Sequence, residues 1–351
     1  MLFVFLPLSL ATFVGMYFLD FSFFGKHPYV LPLGLLMVDL AAQLFGVSYC
    51  GKRWFTLGSF ALSPLALSLL FPLAFCGLFE RLRNWGKRGY LLSGVLAAGF
   101  CLLLSLCHTA GGILIFVFSV GILLLVAAKK DWFGKKNRLL LLFFILVAVG
   151  LFSLLMLYAP FRYRYGWERL YTIFVPSGDP MGSGYLSTQL KTILSHCVLL
   201  GEGAALSETQ AYLLTDASML RSDYLLAYLY GWVASGIVVL LLAVFLGLGF
   251  RKALKQKSIF GQMVSLTILC TFTAEILLYI PANLGIWLIA PIALPFLSYG
   301  ATALLINMAL AGVLLSVFRT GEVYRDTAPH PIFSDSKFIQ WADGKLTISF
   351  K

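Results

Sequence analysis

The chain runs to 351 residues, 60% of them hydrophobic and only 12% charged, about half the charged share of a soluble domain. That composition excludes a water-soluble enzyme or binding module and points to a membrane protein, whose apolar runs reach the roughly 20 residues that cross a bilayer. The net charge of +11 calls for no nucleic-acid partner, because the basic residues crowd into short loops between apolar runs. In chain order, nine membrane helices are predicted near Leu2–Leu19, Tyr29–Val47, Phe55–Phe79, Tyr90–Leu106, Ala110–Ala128, Leu139–Ala159, Tyr224–Phe250, Phe260–Ile280 and Leu297–Phe318. The first lacks the basic start and small-residue cleavage site of a signal peptide.

Charge orients these spans. Lys26 follows the first, Arg81, Arg83, Lys87 and Arg88 the third, Lys129, Lys130, Lys135, Lys136 and Arg138 the fifth, and Arg251, Lys252, Lys255 and Lys257 the seventh. All lie on one side, which the positive-inside rule makes cytoplasmic. Residues 1–318 then form one membrane domain with Met1 outside, and residues 319–351 a cytoplasmic tail with strand-like pieces such as Leu346–Phe350.

Six cysteines (Cys50, Cys76, Cys101, Cys107, Cys197, Cys270) show no C-x-x-C or metal-type spacing and read mainly as small apolar filler. Cys50 and Cys197 share the outer side, but two residues establish no disulfide framework. Asp39, with Gln43 one turn on, and Glu275 fall inside spans, where a carboxyl group must face the bundle interior or a cavity.

Two regions break the helical pattern. Residues 161–222 form an outer loop too long for a connector, with Trp167, a helix-like piece over Tyr185–Leu200 and the turn-rich string Gly178–Tyr185. The stretch Pro281–Met308 carries Pro281, Pro291, Pro295, Asn283 and a Ser298-Tyr299-Gly300 turn. Backbone freed by proline and glycine survives at membrane depth only when buried in protein or lining a wet cavity.

Pro295-Phe296-Leu297-Ser298-Tyr299-Gly300 resembles the P-[FL]-[IV]-S-Y-G-G-[ST] signature of the SEDS family (FtsW, RodA, SpoVE), whose members polymerise lipid-linked cell-wall precursor. Three more strings match in order. Gly51-Lys52-Arg53-Trp54, then Gly58, Phe60 and Pro64, is similar to G-x-[RK]-R-W-[IL]…G…F-x-x-Q-P-S-E. Arg169-Leu170, Asp179-Pro180, Gly182, Gly184-Tyr185, Gln189 and Gly201-Glu202-Gly203 resemble the series in the family's large outer loop. Leu220–Ala227 looks like H-T-D-F-x-F-A, whose aspartate is the family's essential carboxylate.

The resemblance implies an all-α polytopic bundle of SEDS type, with about nine helices and one large extracytoplasmic loop. It implies a bacterial cytoplasmic-membrane glycosyltransferase that polymerises lipid II, an undecaprenyl-pyrophosphate-linked disaccharide-peptide, with inversion. Shape, division or sporulation wall synthesis is the implied process, and a class B penicillin-binding protein (a transpeptidase) the implied partner. Asp223 inherits the catalytic role. A sugar hydroxyl must lose its proton to attack, and a positioned base is worth about 10²–10⁴-fold. Standing just before span seven, Asp223 also suits a helix N-cap. Arg53, Trp54, Arg169, Asp179, Gly184, Tyr185, Gln189, Glu275, Asn283, Pro295, Ser298, Tyr299 and Gly300 inherit substrate-binding roles. Arg162, Arg164, Arg169, Lys191 and Arg221, with Lys52 and Arg53, supply positive charge for the leaving pyrophosphate. The cofactor requirement stays open, with a divalent cation at the pyrophosphate as the candidate.

The chain also departs from the pattern. Ser63-Pro64-Leu65-Ala66 lacks the glutamate of Q-P-S-E, and His108–Gly112 lacks the aspartate of P-D-L-G-T. Gly231-Trp232 stands about where a glutamate pair is usual, and Gly300-Ala301 replaces Gly-Gly. Nine spans against the usual ten suggest that the family's first helix is absent. Two other readings therefore stay open. One is a catalytically silent scaffold for a transpeptidase, which the lost acids favour. The other is a flippase for lipid-linked precursor, with Asp39, Gln43 and Glu275 as its polar route.

Overall fold

The computed structural model describes residues 2–49, 52–57, 60–83, 86–107, 109–130, 132, 136–157, 171, 175, 185–205, 225–286, 292–297, 300–320, 339–342 and 345–348. Among these, five helical segments are long and apolar enough to cross a membrane: Pro64–Arg83, Ala110–Lys129, Tyr230–Leu254, Ile259–Asn283 and Ala301–Thr320. Shorter apolar helices cover Phe5–Phe18, Val30–Phe45, Leu92–Leu106 and Leu141–Leu155. Together they fall in order on the predicted spans.

The elements begin with α1 (Leu2–Phe18), α2 (Ser22–Lys26) and α3 (Val30–Phe45). Gly46 then leaves the helix in extended conformation and leads into β1 (Val47–Tyr49). β1 pairs antiparallel with β2 (Lys52–Leu57), with Val47 opposite Trp54, and β2 pairs with β3 (Phe60–Leu62), with Phe55 opposite Leu62. This three-stranded sheet corrects the third predicted span. Phe55–Leu57 and Phe60–Leu62 are strand, and the crossing helix starts only at Pro64. Ser63 stays extended (φ −77°, ψ 127°) and Pro64 takes the first helical position of α4 (Pro64–Ser68), where its missing N–H costs nothing. The chain breaks briefly at Leu69–Leu70 before α5 (Phe71–Arg83).

Next come α6 (Gly86–Leu106), α7 (Ala110–Lys129), α8 (Lys136–Leu157), α9 (Tyr185–Ser195), α10 (Leu225–Leu254), α11 (Ile259–Asn283) and α12 (Ala301–Thr320). A hairpin of β4 (Ile339–Ala342) and β5 (Lys345–Ile348) follows, close to the strand expected in the tail.

α11 is the bundle's axis. Ser258 caps its start by accepting the Gly261 N–H at 3.1 Å, and it is buried from Phe260 through Phe272. It packs on α5, α7, α10 and α12. Beside it, edge-on aromatic pairs lock α5 to its neighbours. Phe75 meets Phe116 at 5.9 Å and Phe71 meets Phe100 at 5.4 Å, contacts worth about 0.5–1.5 kcal/mol each beyond their area.

α1 lies along α12, and a small residue permits it: a Cβ on Gly312 would stand 2.5 Å from the Phe13 carbonyl oxygen. Small residues let membrane helices approach this closely. Ser316 donates to the Leu19 carbonyl at 2.5 Å, and the Arg319 guanidinium covers the Tyr17 ring at 4.6 Å. The contacts advance together along both helices, so the two run parallel, as the first and ninth spans of an alternating bundle must.

Candidate functional site

One end of the bundle gathers the non-helical features: the β1–β3 sheet, the start of α10, α9, the end of α11 and the entry to α12. α11 does not stop at Pro281, as the proline suggested. It continues to Asn283, whose side-chain amide donates to the Tyr279 carbonyl at 2.9 Å. The helix then closes in a Schellman turn. Ile286 N–H reaches the Pro281 carbonyl at 2.9 Å, and Gly285 N–H reaches Ala282 at 3.1 Å, with Gly285 left-handed (φ +65°). That pattern satisfies the helix's last carbonyls inside the bundle.

Beyond it, residues 292–297 form a short irregular segment. Ile292, Ala293, Leu294 and Pro295 are buried, and Leu297 is exposed. Phe296 adopts φ +69°, a conformation that costs a bulky residue of order 1–3 kcal/mol. Its ring compensates by lodging between Phe245 (5.9 Å) and Phe272 (5.3 Å). Gly300 starts the next helix, its carbonyl accepting Leu304 N–H at 2.8 Å. Thr302 then donates to the Ala61 carbonyl of β3 at 3.2 Å, tying the segment's exit to the sheet.

Glu275 lies beneath this segment, 1% exposed. Asn307 of α12, equally buried, donates its amide to Glu275 Oε1 at 3.3 Å. Glu275 Oε2 and Asn307 Oδ1 have no hydrogen-bond partner among the described residues. Glu275 also borders a cavity with room for about one water, shared with Leu65, Ala66 and Leu69 below and Ile292 and Ala293 above. Its hydrogen bond joins α11 to α12 beside the irregular segment. Sequence reasoning missed Asn307, although the logic that picked out Asp39 and Glu275 applies to any polar residue mid-span. Asp39 is buried in α3, as its cost in lipid requires.

α9 lies across this end of the bundle. Its buried face carries Ser187, Leu190 and Ile193; Tyr185 and Gln189 are half-buried. Ser187 Oγ donates to the Gly285 carbonyl. At the other end the chain from α9 docks on a kink in α10. Gly231 takes φ +85°, ψ 171° inside that helix, and the N–H groups of Trp232 and Val233 donate to the Val198 and Leu199 carbonyls, both at 3.1 Å. The glycine standing where a glutamate pair was expected is thus a structural feature with its own geometry. Cys197, at this junction, has a free thiol held above its ordinary range by partial burial.

Of the remaining candidates, Arg53 and Trp54 sit on β2 opposite Ser48 and Val47, with Trp54 half-buried. Arg169, Asp179, Gly184, Asp223, Ser298 and Tyr299 lie outside the described residues, as does Cys50. Asp223 precedes α10 by two positions in the sequence. No three His, Cys, Asp or Glu side chains converge among the described residues, so none of those offers a ready divalent-cation site.

A helical bundle with a proline-broken segment, a short helix beside it and a kinked neighbouring span, all gathered at one end, defines a polytopic membrane protein. Residues 2–322 match the family model for cell cycle proteins of the FtsW, RodA and SpoVE type, and the chain belongs to that family. It is 25% identical over 293 residues to stage V sporulation protein E of Bacillus subtilis (strain 168), covering 81% of this chain and 76% of that protein. It is 28% identical over 330 residues to the probable peptidoglycan glycosyltransferase FtsW of Nitrosococcus halophilus (strain Nc4), covering 90% and 81%. Among solved structures, a peptidoglycan synthase complex described for its coordination of polymerization and crosslinking aligns with TM-score 0.67 at 23% identity, covering 92% of this chain and 89% of that one. Rod shape-determining protein RodA of Thermus thermophilus aligns with TM-score 0.58 at 21% identity, covering 92% and 87%. At these identities the structures establish the fold.

Proposed function

We propose that this protein is a peptidoglycan glycosyltransferase that polymerises lipid II at the outer face of the bacterial cytoplasmic membrane, with Asp223 as general base. The carrying observation is topological. The helix that Asp223 precedes, the α9 loop and the proline-broken segment all meet at one end of a bundle whose family includes named peptidoglycan glycosyltransferases. Both substrates are lipid-anchored, so a base serving them belongs at a membrane boundary. Asp223 takes the proton from the acceptor sugar hydroxyl as that oxygen attacks the donor's anomeric carbon, and lipid pyrophosphate leaves from the opposite face. The outer-loop cations Arg162, Arg164, Arg169, Lys191 and Arg221 then offset the departing charge. In this reading Tyr185, Gln189 and Trp54 contact the sugars, and a class B penicillin-binding protein is the partner that crosslinks the product. The amino terminus is outside and the tail cytoplasmic.

The test is polymerisation of labelled lipid II by purified protein, with and without its transpeptidase. Asp223→Asn and Asp223→Ala should each lower the rate by about 10²–10⁴-fold. Equal polymer from all three proteins refutes the assignment. It would favour the scaffold reading, for which Gly231-Trp232 in place of acids is the supporting feature.

A further inference from the structure

Two left-handed glycines stand at opposite ends of the same outer segment. Gly285 (φ +65°) ends α11, and a Cβ there would meet the Ser187 carbonyl oxygen at 2.9 Å. Gly231 (φ +85°) kinks α10, and a Cβ there would lie 2.6 Å from the Leu199 carbonyl oxygen and 3.0 Å from the Leu200 Cα. Both obstacles are backbone, so no side-chain motion relieves them. Between the two contacts runs α9, whose 11 residues span about 16 Å. Its Leu190 and Ile193 are essentially inaccessible, which fixes its face against the bundle, and the Ala204 N–H folds back onto the His196 carbonyl at 2.9 Å to hold the segment that follows.

We propose that α9 is a strut that sets the separation between the two halves of the site, with Gly231 as the positioning residue that seats it. This rests on the glycosyltransferase reading above. One end of the strut grips the turn that opens the proline-broken segment. The other grips the kink that sets the Leu225–Tyr230 leg of α10, the leg that follows Asp223 in the sequence. The kink frees the N–H groups of Trp232 and Val233, and the Val198 and Leu199 carbonyls, in the segment that continues from the strut, take them. Gly231 adopts ψ 171°, in a region open essentially to glycine alone. Asparagine, which tolerates ordinary left-handed turns, cannot substitute. The seat therefore requires one residue type at one position, and the direction of the catalytic leg follows from it.

The experiment pairs lipid II polymerisation kinetics with hydrogen exchange on the full-length protein in nanodiscs. Gly231→Ala should lose amide protection at Trp232 and Val233. It should lower kcat by about 10²-fold, the cost of roughly ångström misplacement of a reacting group, with KM little changed. Gly231→Asn should do no better. Gly236→Ala, whose Cβ meets nothing within 4 Å, should match wild type in both measurements. As a milder variant that keeps the fold, Ser187→Ala loosens the other end by removing only a hydroxyl, and it should lower kcat several-fold. Lost protection with wild-type kcat overturns the proposal, as does full protection in Gly231→Ala or rescue by asparagine. Wild-type protein that forms no polymer refutes the proposed enzyme, while the exchange data still decide whether the strut is seated on Gly231.

Discussion

Replacing Glu275 with glutamine is expected to stabilise this bundle. The Asn307 amide already donates to Glu275 Oε1 at 3.3 Å, while Glu275 Oε2 and Asn307 Oδ1 are two buried acceptors without a donor among the described residues. Glutamine keeps the first oxygen and puts an NH₂ group where the second stood. Turned towards Asn307 Oδ1, that group closes a cyclic amide–amide pair and satisfies both sites. One buried hydrogen bond contributes about 1 kcal/mol, and relief of unsatisfied buried atoms adds about 1–3 kcal/mol. Hydrogen bonds between membrane helices average nearer 0.6 kcal/mol, so a net gain of about 1 kcal/mol is expected. Asn307→Leu runs the other way, stranding the carboxyl group at a cost of about 2–3 kcal/mol. Glu275→Leu strands an amide at somewhat less, and the Leu/Leu double variant should return towards wild type because neither partner is left behind. Reversible unfolding in mixed micelles, followed by tryptophan fluorescence, gives the four corners of the cycle. A glutamine variant less stable than wild type would refute this account. So would single effects that add within about 0.3–0.5 kcal/mol, as independent sites do.

The α1–α12 contact predicts that Gly312→Ala destabilises by about 1–3 kcal/mol, since its Cβ would press on the Phe13 carbonyl; Gly99→Ala, with open space around it, should leave unfolding unchanged or raise stability slightly. Cys197 tests both orientation and chemistry: in a Cys50→Ser background, a membrane-impermeant maleimide added to intact cells should label it if the α9 end is extracytoplasmic. The thiolate is the reactive form and burial holds this thiol above its ordinary range. Labelling should therefore keep accelerating as pH rises past the point where an exposed cysteine has levelled off, and a profile matching a free thiol contradicts the burial. A reporter fused after Lys351 should be active only in the cytoplasm, and activity outside would reverse the topology.

Much of the architecture was legible because hydrocarbon length is a strong constraint. Runs such as Ala110–Lys129 and Ile259–Asn283 have few other ways to satisfy their backbones. The sheet escaped for a related reason. Phe55 and Phe60–Leu62 are as apolar as the helix they precede, so the span was started too early, although Gly58 and Ser59 were turn signals and Pro64 marked the helix's first position. Phe296's positive φ was illegible, since phenylalanine carries no local signal for it and only the Phe245 and Phe272 rings make it tolerable. Motif order marked Glu275, Asn283 and Pro295 as neighbours in sequence, and Glu275 does border a cavity with Ile292 and Ala293 just before Pro295, while Asn283 ends α11. It gave no hint of Asn307, the hydrogen-bond partner of Glu275, because that pairing joins residues on different helices through space. Gly231 was read as a missing acid; its importance lies in a backbone angle that composition does not reveal.

The parallel seam between α1 and α12 bears on how the molecule is made. α1 is held chiefly by a helix that is synthesised about 300 residues later. Until then its apolar flank, with Phe13 and Met16 beside the place Gly312 will fill, has only lipid for company. This seam therefore shuts like a clasp only once α12 is inserted, and a ribosome that stops short of Ala301 leaves α1 adrift in the bilayer.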